Sequence, residues 1–138
     1  MKTQQINFWG PGSASYWLTM VVAVGIIFIG LRFILAPNVG ADGFGVALPH
    51  TYNAVGYAYA KGIRDIYSGI ILMIFLILRK ASATAIVFSA AIIIPASDFL
   101  TILSVNGVKD ITHLLIHGGT AVYMMITSIF LFTAKSKN

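Results

Sequence analysis

The stretch from Tyr16 to Ala36, YWLTMVVAVGIIFIGLRFILA, decides the fold. Arg32 is its only charged residue. A helix of about 20 predominantly apolar residues is long enough to cross the roughly 30 Å hydrocarbon core of a bilayer. Tyr16-Trp17 at its start is an aromatic pair suited to the membrane interface. Trp9-Gly10-Pro11-Gly12-Ser13 before it and Pro37 after it read as chain punctuation. A strand of a transmembrane barrel would be about 10 residues long and would alternate polar with apolar. This stretch is about twice that length and does not alternate, so it is a helix.

Working outward, three more stretches of similar length follow: about Asn53 to Leu78, Ser82 to Leu103 with Pro95 inside it, and Asp110 to Ala134. Residues 37 to 52, with Gly40, Gly43, Gly45 and Pro49, read as a loop at the membrane interface. Arg79-Lys80 and Gly107 mark the other turns, and Asp110 stands where a helix N-cap is favourable. Composition agrees. The chain has 138 residues, 58% hydrophobic and 9% charged, with a mean hydropathy of +0.88. A soluble domain carries about 25% charged residues. The expectation is a single all-α domain over residues 1–138, an integral membrane four-helix bundle. No A-x-A cleavage pattern follows the first apolar run, so that run is expected to stay in the chain. Cysteine is absent, which removes disulfides and thiolate metal sites. The net charge of +5 contains no basic run that suggests nucleic acid.

Loop charges give an orientation. Lys2, Arg79, Lys80, Lys135 and Lys137 fall on one side of a four-span chain, and Asp42, Lys109 and Asp110 on the other. Positive loop charge marks the cytoplasmic side. Both termini are therefore expected in the cytoplasm, with the protein multi-pass in the cell membrane, the inner membrane in a bacterium.

The same orientation gathers the ionisable residues of all four spans into the outer half: Arg32; Lys61, Arg64 and Asp65; Asp98; His113 and His117. A charge at the bilayer centre costs about 2.5–3.5 kcal/mol on insertion scales, so these groups should face one another or a wet pocket. Tyr57, Lys61, Arg64 and Ser68 share one helix face, and Asp110, His113 and His117 another. Lys61 can pair with Asp65, four residues on. Asp98 can pair with Arg32 or Arg64, and Asp65 with Arg64 as an alternative to Lys61. Three cations against two carboxylates leave one positive charge over, unless Lys61 snorkels to the interface. A surplus cation invites an anionic or carbonyl-bearing ligand. Gly62, Gly69 and Gly118-Gly119 would let helices approach closely. Pro95 would free the Ala91 carbonyl and kink the third span before Asp98.

His113 and His117 are the sharpest feature. A metal would need Asp98 or Asp65 as a third ligand, and the run His113-Leu-Leu-Ile-His117 lacks the glutamate of H-E-x-x-H sites. No metal and no cofactor is expected, and two histidines on one helix cannot clamp a haem from both faces. Two readings stay open. His117 or His113 works as an acid–base group oriented by Asp98 or Asp65, or the cluster only holds helices in register. His50, beside Pro49, is a loop residue that a folded-over loop could bring to the pocket.

Several of these runs resemble one family. They are Gly30-Leu31-Arg32-Phe33 with Ala36-Pro37, Gly43-Phe44-Gly45, Lys61-Gly62-Ile63-Arg64-Asp65 with Gly69, Pro95 with Asp98, and His117-Gly118. Together they are similar to small membrane proteins grouped as Domain of Unknown Function family 4267, from roughly Gly25 to Tyr123. The resemblance implies architecture and draws attention to these polar residues; it implies no activity. Three functions follow as expectations. The first is a protein that binds or isomerises a small amphipathic or anionic molecule, through a pocket of Arg32, Lys61, Arg64, Asp65, Asp98, His113 and His117. The second is a proton-coupled transporter subunit, and the third an accessory or scaffolding protein. The lipid bilayer is the expected partner in each, and a homo-oligomer stays open.

Overall fold

A computed structural model describes residues 9–49 and 51–134 of the chain. Lys2, His50, Lys135 and Lys137, used above for orientation and for the pocket, lie outside the described residues. Among the described residues the regular structure is all helical. It comprises α1 (Ala14–Leu35), α2 (Pro37–Phe44), α3 (Tyr52–Ile77), α4 (Ala81–Ala90), α5 (Ile93–Asn106) and α6 (Ile111–Thr133), with a short 3-10 turn at Gly107–Lys109. Three stretches are long and apolar enough to cross a membrane: Ala14–Leu35, Ala81–Lys109 and Ile111–Thr133. They carry exposed apolar side chains such as Phe28, Ile86 and Ile129, which suit contact with lipid. The chain is thus a membrane protein. α3 is longer still, at 26 residues, but Lys61, Arg64 and Asp65 interrupt its apolar run.

α1 and α3 form the most extensive helix contact in the molecule. Glycine makes it possible. A Cβ on Gly30 would lie 2.6 Å from the Gly62 carbonyl oxygen, and one on Gly62 would lie 2.7 Å from the Gly30 carbonyl oxygen. Each glycine therefore seats the other's backbone. Close backbone approach of this kind drives helix association where lipid removes the hydrophobic incentive.

Residues 37–44, expected as loop, are helix α2. Pro37 sits at the first helical position, where its missing N–H is not needed and its φ is already helical. Gly45 ends the helix in a left-handed conformation, with φ of 101°, and its N–H returns to the carbonyls of Ala41 and Asp42. α2 packs Ala41 and Phe44 against Phe33 of α1 and Ala58 of α3. That burial holds a glycine-rich segment in a helix that propensity alone would not favour.

The kink expected at Pro95 takes the form of a two-residue interruption of the helix at Ala91 and Ile92, both with helical backbone angles. α4 stops at Ala90 and α5 starts at Ile93. Contrary to expectation, the Ala91 carbonyl is not left free, because the Ile94 N–H reaches it at 3.0 Å in a tighter turn. Between α3 and α4 the chain reverses through Arg79, a non-glycine residue at φ 53°. The Arg79 N–H bonds the Leu76 carbonyl and the Lys80 N–H bonds that of Phe75. This is a Schellman closure with arginine in the position glycine usually takes.

The core sits towards this turn. Tyr16, Leu76, Ala85, Phe88 and Leu131 are buried in one cluster joined by Trp9. Trp9 also donates its indole N–H to Ser15 at 2.9 Å. Towards the α2 end the helices are less filled, and the polar residues collect there.

Candidate functional site

Helices α1, α3, α4, α5 and α6 surround a cavity of about 850 Å³. One end is polar. Arg32 from α1, Lys61, Asp65 and Ser68 from α3, Asp98 from α5 and His117 from α6 all line it, beneath Gly43 and Phe44 of α2. The rest is an apolar shaft walled by side chains such as Ile26, Ile29, Ile71 and Ile94. Some lining residues are also exposed, Val21 and Tyr67 at 65% and Leu115 at 69%, so the cavity opens on the flanks of the helices.

Helical register explains the α3 contribution. Lys61, Asp65, Ser68 and Leu72 recur at steps of 4, 3 and 4 and so share a face. Lys61 Nζ meets Asp65 Oδ2 at 3.2 Å, the intrahelical pair expected from their spacing. The same ammonium lies 4.8 Å from the ring centre of Phe44 and 5.3 Å from that of Phe33, within the range of cation–π attraction. Lys61 is thus turned inward and does not snorkel.

Arg32 has no carboxylate within salt-bridge distance among the described residues. Its Nη2 donates to the Val39 carbonyl at 3.1 Å. A guanidinium has five N–H donors, so among the described residues most of its capacity is uncommitted.

His117 has a defined tautomer. Its Nε2 stands 3.0 Å from the Phe44 carbonyl oxygen. A carbonyl can only accept, so Nε2 carries the proton and donates. Nδ1 then faces Asp98 Oδ2 at 3.8 Å, too far for a direct hydrogen bond. In the neutral ring this leaves a lone pair beside a carboxylate, both at the cavity wall. The pair can accept one proton between them, and the Phe44 ring packs edge-on against the imidazole at 4.9 Å.

A second polar group ties α2 down. The Asn106 amide donates to the Gly45 carbonyl and to Asp110 Oδ2, each at 2.6 Å. Asp110 caps α6 by accepting from the His113 backbone N–H at 3.3 Å. The His113 Nδ1 meets its two oxygens at 2.8 and 2.9 Å. The Asn106 hydrogen bond, and after it that of His113, hold the Asp110 carboxyl below its ordinary value of 3.8. The end of α2 is thereby fixed to the corner between α5 and α6.

Several expected site residues stand elsewhere. Arg64 and Tyr57 are exposed and line no part of the cavity. The inward face of α3 runs through Asp65 instead. His113 also lies outside the lining, engaged with Asp110. Asp98 faces His117, not Arg32 or Arg64. Without Arg64 the lining holds Arg32 and Lys61 against Asp65 and Asp98, and the surplus cation disappears. Phe44, Asn106 and Tyr123 were not singled out from the sequence in these roles. Only the glycine at position 45 hinted that the preceding segment folds back.

Helices of this length and composition, with polar groups drawn together inside, define a small helical membrane protein. A family model matches residues 23–131, and the chain belongs to that family, described as a domain of unknown function (DUF4267). The match includes every polar residue named above as lining the cavity. No match was found among curated proteins or among solved structures.

Proposed function

We propose that this protein binds an amphipathic molecule in the cavity, with an anionic or carbonyl head at the polar end and an apolar body along the shaft. The observation that carries this reading is the joining of one charged end to one apolar shaft in a space of about 850 Å³, within the range of small-molecule sites. Arg32 has free donors for the head. Lys61 is held by Asp65 and shapes the wall. His117 Nδ1 takes a proton from the bound molecule, Asp98 stabilises the imidazolium, and the proton returns to another atom of the same molecule. Such an isomerisation balances without any co-reactant. Asp65 and His113 serve the site indirectly, through Lys61 and through Asp110.

The proposal includes a topology. α1, α3, the α4–α5 pair and α6 form a four-helix bundle with both termini in the cytoplasm, and the polar end lies in the outer half. Support comes from the loop charges and from Arg79, whose side chain lies against Gly10 and so brings the α3–α4 turn beside the start of α1. The chain has no cysteine, so single cysteines at Lys80 and Asp110 can be labelled from either side. Labelling of both from the same side would overturn the topology.

The ligand reading is tested by mass spectrometry of small molecules that copurify in mild detergent. A defined amphiphile, retained by the protein and lost from Arg32→Ala, is the expected result. A preparation with no small molecule, or with a stoichiometric protein companion instead, would sink it. His117→Ala should keep the fold and lose turnover. A through-path for transport is disfavoured by the packing of Leu76, Ala85 and Phe88 beyond the shaft.

A further inference from the structure

Two residues along the apolar part of the cavity define its shape. Gly25, in the middle of α1, lines the cavity, and a Cβ there would meet nothing within 4 Å. Glycine inside a helix costs about 1 kcal/mol relative to alanine. No neighbouring backbone requires it here, unlike Gly30, and the space a side chain would occupy belongs to the cavity.

Tyr123 is the second. It lines the cavity, and its hydroxyl donates to the Leu18 carbonyl at 2.9 Å, tying α6 to α1. Leu72, Phe75 and Met124 complete the foot of the shaft. Beyond it Leu76 and Phe88 are fully buried. Along the helix axes the shaft is therefore closed at this end, while Val21, 65% exposed, leaves its flank open. From Arg32 to Val21 it runs eleven residues of α1, about 16 Å at 1.5 Å per residue.

A charged mouth, an apolar shaft with flank openings towards lipid and a foot closed along the helix axes together specify a ligand shape. We infer that the cavity takes a single-chain carboxylate from the bilayer, with its carboxylate at Arg32 and its chain passing Gly25, and that Tyr123 sets the longest chain admitted. This rests on the cavity being a ligand site and adds the ligand's class and its length limit.

The test measures binding of saturated carboxylates from octanoate to stearate to the full chain in detergent, by native mass spectrometry. The intact protein should show a length optimum with a sharp fall on the long side. Tyr123→Ala should bind the first refused length about tenfold more tightly, the worth of roughly two further buried methylenes. Tyr123→Phe, which keeps the ring, should leave the limit in place. Gly25→Leu favours the helix and fills the shaft, so it should bind octanoate and lose the long chains while melting no lower than the parent. Equal binding at every length, or a Gly25→Leu series like the parent's, would overturn the gauge. If no carboxylate binds while another amphiphile copurifies, the inference fails and the ligand reading stands; if nothing copurifies either, both fail.

Discussion

The same helices build two regions of opposite character. Towards the α3–α4 turn, Ala81, Ala85, Phe88 and Leu76 are wholly buried in one packed cluster. Towards α2, the helices stand apart around about 850 Å³. Two glycines show which helix faces are filled: Gly62 lies on the α1–α3 seam and Gly25 on the face of α1 that lines the cavity. Gly62 is filled to the point of backbone contact, whereas Gly25 faces open space. In water, an unfilled apolar space of this size would weaken a fold through lost packing. In a bilayer, acyl chains can enter through the flanks, so the cavity face of α1 can stay open if its seam with α3 is locked. The locked seam is what permits the open face.

The largest effect should come from the lock itself. Gly62→Leu drives a side chain into the Gly30 carbonyl, a backbone atom that cannot turn aside. Loss of several kcal/mol is expected, since overpacking alone costs about 1–3 kcal/mol where side chains can give way. The readout is the amount of folded protein in the membrane. Normal accumulation of Gly62→Leu would show that the seam is not what holds the helices.

A pair of truncations sharpens the contrast. Phe88→Ala, in the packed region, should lower stability by about 3–5 kcal/mol. Ile29→Ala, on the shaft wall, should cost under about 1 kcal/mol, because its side chain borders empty volume and is half exposed. Thermal unfolding of both variants in one detergent checks this, and equal losses would mean that the two regions are packed alike.

How far these regions were legible in the sequence depended on the kind of signal. Length and the lack of charge were enough to place α1 and α6 within a residue or two, because lipid allows few alternatives to a helix. α2 was missed because Gly40, Gly43 and Gly45 carry the composition of a loop. What makes it helical is Pro37 at its start and the surface of Phe33 and Ala58 beneath it, and the second of these is tertiary. The α3 face was read one step off. Arg64 and Asp65 both continue the helical spacing from Lys61, and spacing cannot tell which of two adjacent residues turns inward. Their packing does, by setting Asp65 beside Lys61 and leaving Arg64 exposed. The partner of His117 is a backbone carbonyl 73 residues away, which no side-chain motif announces.

The corner that fastens α2 responds to acid. Asp110 has its folded value lowered, chiefly by the Asn106 hydrogen bond. Its contribution is complete above the ordinary aspartate range and is lost as pH falls through the lowered value. Asp110→Asn should therefore match the parent's loss of α2 anchoring at low pH while being nearly insensitive to pH itself. Hydrogen exchange of the Gly45 and His113 amides, followed from about pH 5 downwards, checks this. An unchanged acid response in Asp110→Asn would assign the fastening to other groups.

The smallest effect belongs to the packed region. Arg79 holds a left-handed backbone that costs a non-glycine residue about 1–2 kcal/mol. Arg79→Gly relieves that strain but frees the unfolded chain, which returns about 0.4–1 kcal/mol, and it removes the side chain that lies against Gly10. The two losses oppose the gain, so the net change in thermal stability should be under about 1 kcal/mol and favourable. A clear loss would mean that the arginine's contact with Gly10 outweighs its strained backbone. The residue would then be part of what fastens the α3–α4 turn to the start of α1, as well as a positive charge at a turn.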